Sequence, residues 1–295
     1  MKNIIVFMVI LFSAYTLNAQ EYAPFYKVTE RSGNTETVAK IFEKVITDAG
    51  FEVIGKYHPE NKNSLYVVCF TSDELKNLST KFKDRGALAA VIKMGFVEKD
   101  GQTEVSILNP YYLFYAYWGK QMGNHEDEVV AMTKKILAIA EPEGNLQPFG
   151  GFIDKEDLPK YHYKIMMPYF DDPDELNEFD SFEEGLSVIR KNLQNNDLNA
   201  VKVYELVIPG KEIAVFGIGL LDKETGEPSF LPVIGESHIA AMPYEIILQG
   251  KEATSLEGKY RFALFWPELS MGEFMKIRSA PGDVSDTFEA ICGND

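Results

Sequence analysis

The sequence predicts an α+β fold built from two similar halves, and three observations carry that expectation. Val105-Ser106-Ile107-Leu108-Asn109-Pro110 and Phe262-Ala263-Leu264-Phe265-Trp266-Pro267 share one pattern, a short apolar run stopped by Pro after a Gly-centred turn at Gly101 or Gly258. An order of strand, helix, strand, strand and strand pair reads twice along the chain. The strands follow one another through short turns, which favours antiparallel sheets with helices on one face. Each half is therefore expected as a two-layer α/β sandwich with a mostly antiparallel sheet, and the halves as related by a pseudo-twofold axis.

Residues 1–19 read as an export signal. Lys2 gives the positive start, Ile4 to Ala14 the apolar core, and Leu17-Asn18-Ala19 a cleavage site. The run falls short of the roughly twenty apolar residues of a membrane helix, and no later segment reaches that length. Gln20 and not a Cys stands next to the cleavage site, so a bacterial lipid anchor is not expected. The mature protein is expected in the periplasm or outside the cell, without a transmembrane segment.

The first domain is expected over residues 20–145. Phe25–Glu30 alternates as a strand does. A helix from Thr35 carries Val38, Ile41, Phe42, Val45 and Ala49 at helical spacing, and Gly50 ends it because glycine enters the left-handed region cheaply. Strands follow at Phe51–Tyr57 and Leu65–Phe70, then a helix over Asp73–Phe82. A strand pair, Ala89–Glu98 with Thr103–Leu108, precedes a helix at Glu126–Ala140. Glu141-Pro142-Glu143-Gly144-Asn145 marks the boundary by composition. In the second domain, residues 146–295, Tyr161–Met167 reads as the first strand. Phe182, Leu186, Ile189 and Leu193 form a helical stripe. Strands at Val201–Val207 and Ile213–Leu220 lead to a pair formed by Ile239–Gln249 and Lys259–Phe265.

Composition narrows the function classes. The chain is 45% hydrophobic and carries 45 acidic against 29 basic residues, a net charge of −16. That field repels phosphate backbones, so no nucleic-acid partner is expected. The two cysteines rule out a structural Cys-based zinc site, and there is no C-x-x-C. Cys69 lies in an apolar strand and Cys292 near the C-terminus. A bridge between them is open on spacing alone, but a thiol at a strand centre is more often a small core residue.

The Gly50-Phe51 strand entry, the apolar strands and the pair closed by Asn109-Pro110 resemble the bacterial domain-of-unknown-function 302 (DUF302) family. In the second half the resemblance runs through Val215-Phe216-Gly217, Ala241-Met242-Pro243 and Trp266-Pro267. It covers most of the mature chain as two tandem copies. It implies a compact α+β domain and brings no established activity, cofactor or catalytic residue. The longer turn after Gln249 and the acidic insert before the second helix depart from the family's pattern.

Two segments could hold chemistry. Glu236, Ser237 and His238 place a carboxylate, a hydroxyl and an imidazole at a strand entrance, a candidate catalytic cluster for a hydrolase-like or metal-assisted enzyme. The segment lacks the second Gly of a nucleophile elbow, and a hydrogen-bonded His and Glu that merely order the loop are the plainer explanation. Tyr111 to Trp118 is strongly aromatic, and Tyr112, Tyr115 and Trp118 are candidate ligand-binding residues; packing between the halves is the competing explanation. His58, His125 and His162 show no metal-site spacing. The acidic run from Asp171 to Glu184 has Pro173 and no central Gly, unlike an EF-hand loop. It reads as solvated loop and helix-start charge. No cofactor or metal is expected. The leading expectation is a non-enzymatic cell-envelope protein that binds a small ligand or an envelope protein partner. The enzyme centred on Glu236, Ser237 and His238 is the alternative.

Overall fold

The computed structural model describes residues 20–164, 167–194 and 196–293. The expected signal at residues 1–19 lies outside them. The first half runs β1 (Glu21–Tyr22), β2 (Phe25–Ser32), α1 (Thr35–Asp48), β3 (Glu52–Tyr57), β4 (Leu65–Thr71), α2 (Asp73–Ser79), β5 (Ile92–Lys99) and β6 (Gln102–Leu108). It continues through α3 (Pro110–Trp118), α4 (Glu126–Leu137), β7 (Gln147–Phe149) and β8 (Ile153–Asp154). The second half runs β9 (Asp174–Glu178), α5 (Phe182–Asn192), β10 (Ala200–Ile208), β11 (Ile213–Leu220), α6 (Glu227–Ile234) and β12 (Tyr244–Gln249). It closes with β13 (Glu252–Ser255), α7 (Gly258–Phe265), α8 (Met271–Phe274) and α9 (Ala280–Cys292).

The fold is α+β. One sheet has the order β3-β4-β5-β6-β2-β7 and the other β10-β11-β12-β13-β9. All their pairings are antiparallel. Leaving β7 aside, the two orders match strand for strand. The amphipathic helix α1 explains why the sheet of the first half is covered on one side: Asn34 accepts a hydrogen bond from the Thr37 N–H, and Val38, Ala39, Phe42 and Ile46 are buried along one stripe. Burying Phe42 fully contributes on the order of 2–3 kcal/mol. In the second half Ser181 caps α5 in the same way, and Leu186 and Ile189 point inward.

Each sheet takes its second cover from the other half. The 3-10 turn Glu236–Ala241 packs on β4, β5 and β6, while the 3-10 turn Gly86–Ala89 packs on β11 and β12. Contact is close enough to demand glycine. A Cβ on Gly95 would lie 2.8 Å from Ile239 Cγ1 and 2.9 Å from the Ala240 nitrogen.

Several elements depart from expectation. Lys259–Phe265 is helix α7, and the partner of β12 is the short β13. The apolar residues of α7 are interrupted by Lys259 and Arg261 without a helical period, so the pattern could not separate a buried helix from a buried strand. Glu257 decides it by accepting a hydrogen bond from the Tyr260 N–H at the helix start. The likeness between Val105–Pro110 and Phe262–Pro267 is therefore one of composition, since the first run is strand and the second the end of a helix. Asn109-Pro110 likewise opens a helix, with Asn109 accepting from the Tyr111 N–H and Pro110 at the first helical position. The first strand of the second sheet is β9, inside the acidic run; residues 161–164 and 167 are not strand, and Ile165 and Met166 lie outside the described residues. Around the 145/146 boundary, β7 still pairs with β2 and β8 with β1, so the hand-over between sheets falls between Asp154 and Asp174. Both cysteines are buried and free. Among the described residues no helix is long and apolar enough to cross a membrane.

Candidate functional site

His238 sits in the turn that caps the first sheet, and its ring is 6% exposed. Phe25 and Phe149 meet it edge-on with centroids 5.2 and 5.5 Å away, and Trp266 lies at 5.9 Å. Nδ1 is 3.3 Å from Ser237 Oγ. Nε2 is buried with no hydrogen-bond partner among the described residues, the Glu268 carboxylate standing 3.6 Å off. Burial in this aromatic box pushes the imidazole pKa down to about 4, because the charged form loses its hydration. At neutral pH it is an uncharged, apolar-packed ring.

Glu236 is not brought to His238. It pairs with Lys62 at 2.9 Å, and Lys62 also holds Glu60 at 2.6 Å. Of the candidate catalytic cluster the fold therefore joins only the neighbours Ser237 and His238. Among the described residues no group of three His, Cys, Asp or Glu is placed to hold a metal ion.

The aromatic run is helix α3, buried apart from Tyr111. Trp118 is stacked between Phe82 and Phe114 at 4.4 and 4.2 Å, and its Nε1 donates to the Gly86 carbonyl at 2.9 Å. Tyr112 donates to the Leu264 carbonyl of α7 at 2.6 Å, a bond between the halves. Tyr115 donates to Glu126 at 2.6 Å beneath the Lys155 ammonium. These three side chains are thus committed to packing, and none of them lines the apolar pocket of the molecule.

That pocket lies on the outer face of α7. Its volume is ≈ 410 Å³, and Phe262, Ala263 and Trp266 form its floor. Leu269, Met271 and Phe274 from α8 and its approach make one wall, and Tyr163 and Met167 the other. Tyr161 ties that second wall to the floor by donating to the Ala263 carbonyl at 3.0 Å. The charged residues lining it are Lys164 and Lys259. Trp266 is shared with the His238 box, so the pocket floor and the buried imidazole are in ring contact. Volume and apolar lining suit a small-molecule site. Sequence reading missed this site; in the structure Met271 on its wall stays 48% exposed.

A second cluster, charged and fully enclosed, lies between the sheets. Lys93 of β5 and Glu245 of β12 form an ion pair across the halves, 3% and 6% exposed. Arg261 of α7 approaches the same carboxylate at 4.0 Å, donates to the Ala241 and Pro243 carbonyls, and lies 3.4 Å over the Tyr244 ring. Tyr204 adds a hydrogen bond to Glu245 at 3.3 Å. Nearby, Glu227 is buried and accepts from the Tyr57 hydroxyl at 2.8 Å, the Glu60 N–H at 3.0 Å and the Leu220 N–H at 3.2 Å. Burial raises its pKa to about 7 against those bonds. Sequence reading passed over Lys93 and Glu245, although one charge inside each of two apolar strands was the visible sign.

Comparison with known proteins adds a fold likeness. A solved structure, that of an uncharacterized conserved DUF302 protein from Bacillus stearothermophilus, is similar at 12% identity. The match covers 41% of this chain and 98% of that one, with a TM-score of 0.34. No family model and no curated protein matches the chain. A likeness of that size transfers no activity, so the functional reading rests on the pocket.

Proposed function

We propose that the chain is an exported, non-enzymatic binding protein whose ligand is a small, largely apolar molecule held on the outer face of α7. The observation that carries this is the ≈ 410 Å³ pocket floored by Phe262, Ala263 and Trp266. Its volume lies at the lower end of the range of small-molecule pockets. The signal-like residues 1–19 support export. The matching strand order of the two sheets supports an origin as two copies of one DUF302-like unit, with the pocket belonging to the second.

The test is a titration with N-phenyl-1-naphthylamine, a neutral dye that brightens in apolar surroundings. The mature protein is expected to bind it saturably at one site. Ala263 is only half-buried on the pocket floor, so Ala263→Trp fills the space from within without disturbing the sheets. That variant is expected to lose the signal while keeping its circular dichroism. Dye binding that survives Ala263→Trp unchanged would refute the proposal.

A further inference from the structure

We infer that the ligand of this pocket is a single-chain amphiphile with an anionic carboxylate head, the head lying between Lys164 and Lys259 and the chain on Phe262 and Trp266. The inference rests on the binding reading above and specifies its chemistry. Its basis is a local reversal of charge. The chain carries −16, with acids outnumbering bases by 45 to 29, yet the charged side chains lining this pocket are both cations. Neither is consumed by a tight partner. Lys259 stands 3.6 Å from Glu257, beyond hydrogen-bond length, and is 51% exposed. Lys164 is exposed and lies 4.9 Å from the Tyr163 ring, a cation–π contact that leaves its ammonium protons in solvent. The floor and walls are otherwise mainly hydrocarbon, thioether and aromatic rings, a continuous surface for a chain; the polar atoms among them are the Tyr163 hydroxyl and the Trp266 Nε1–H, a buried donor without a hydrogen-bond partner among the described residues.

The opposite choice of head is disfavoured by the same geometry. A cationic head would meet two ammonium groups. A neutral hydroxyl gains little from either, because an exposed ammonium is already well hydrated. The neighbouring acids, Glu257 beside Lys259 and Glu268 after Trp266, are outside the lining. They set the limit of the cationic patch to the pocket mouth.

The experiment is displacement of the neutral dye from the mature protein by dodecanoate, dodecan-1-ol and dodecyltrimethylammonium at pH 8, each below its micelle concentration. Dodecanoate is expected to displace at about one-tenth the concentration of the alcohol, although the alcohol is the more apolar molecule; two favourable exposed charges account for a factor of that order. The cationic amphiphile is expected to be weakest. In the Lys164→Gln/Lys259→Gln protein, dodecanoate loses its advantage over dodecan-1-ol, each measured as displacement of the dye bound to that same variant, and 1 M NaCl narrows the advantage in the wild type. Equal displacement by carboxylate and alcohol in the wild type overturns the head-group inference and leaves the pocket standing. An advantage that persists in the double variant overturns it too. Absence of saturable dye binding refutes the pocket itself, so the two failures are distinct.

Discussion

The enclosed charges between the sheets make the most demanding prediction, because they forecast an order of effects. Glu245 is the one carboxylate set against two buried cations, Lys93 in direct contact and Arg261 at 4.0 Å. Removing its charge with Glu245→Gln leaves both cations unneutralised in the interior. At 4 Å and an effective dielectric constant near 20, each lost attraction is about 4 kcal/mol. Relaxation and water entry reduce the total to the roughly 3–5 kcal/mol seen when a buried pair is broken. Lys93→Met, close in volume, removes one cation only; Glu245 keeps Arg261 and the Tyr204 hydroxyl, so about 2 kcal/mol is expected. The double variant Lys93→Met/Glu245→Leu removes the pair together, and its cost is expected to fall below that of Glu245→Gln alone, since neither charge then needs desolvation. Urea unfolding at pH 7.5, followed by far-UV circular dichroism and tryptophan fluorescence, reads all three. A Glu245→Gln loss equal to or smaller than that of Lys93→Met would show that Arg261 and Lys93 do not depend on this carboxylate, and the electrostatic account would fail.

Other consequences follow from burial. The His238 imidazole has its folded pKa lowered from 6.5 to about 4, so the unfolded chain binds its proton first. The associated stability is fully present above about pH 6.5 and is lost as pH falls through 4, on the order of 3 kcal/mol. His238→Phe should remove that part of the acid slope in urea unfolding from pH 7 to 4, and an unchanged slope would contradict the aromatic box. Glu227 has the opposite sense. Its folded pKa is raised to about 7 from 4.5, so its contribution is complete below pH 4.5 and declines as pH rises through 7; in Glu227→Gln the stability profile between those values should flatten. Gly95→Ala places a methyl 2.8 Å from Ile239 and 2.9 Å from the Ala240 nitrogen and should cost about 1–3 kcal/mol, with a neutral effect counting against close packing of the halves. Cys69 and Cys292 are buried with thiol pKa values raised by desolvation, so Ellman's reagent should find no reactive thiol in the native protein and two after unfolding.

What was legible in the sequence was whatever has a period. Of the stripe read for α1, Val38 and Phe42 face the core, while Ile41 and Ala49 are exposed and the buried face runs on through Ile46 instead; the α5 residues Leu186 and Ile189 and the strands read at Leu65–Phe70 and Ile213–Leu220 are buried as read. Period fails where an element is apolar on every side. Helix α3 is of that kind, and its aromatic run was given no element; in α7 the apolar residues and Lys259 and Arg261 follow no helical period, and the segment was read as a strand. The same blindness hid the pocket. Its floor residues, Phe262 and Trp266, look in sequence like interior residues and are mostly buried by the chain. Only the way α8 and the residues Tyr163, Lys164 and Met167 stand off from them leaves space, and that spacing is a tertiary fact with no local signature.

The position of that space follows from how the two halves differ. In the first sheet the last central strand, β6, leads into α3, and in the second the equivalent β13 leads into α7. Helix α3 is closed over: the 3-10 turn Leu158–Lys160 presses so near that a Cβ on Gly119 would meet Pro159 Cγ at 2.4 Å, and α4 packs against it as well. Helix α7 has its inward residues Tyr260, Arg261, Leu264 and Phe265 buried and α9 packed alongside. Its remaining face, Lys259, Phe262, Ala263 and Trp266 at helical spacing, instead forms the lining of a pocket. The first half thus uses its aromatic helix for packing, while in the second one stripe of the corresponding helix lines a pocket among the described residues. A chain with 45 acids that sets two lysines over that stripe has the makings of a site there, and the contrast between α3 and α7 places the search for a ligand on the second half.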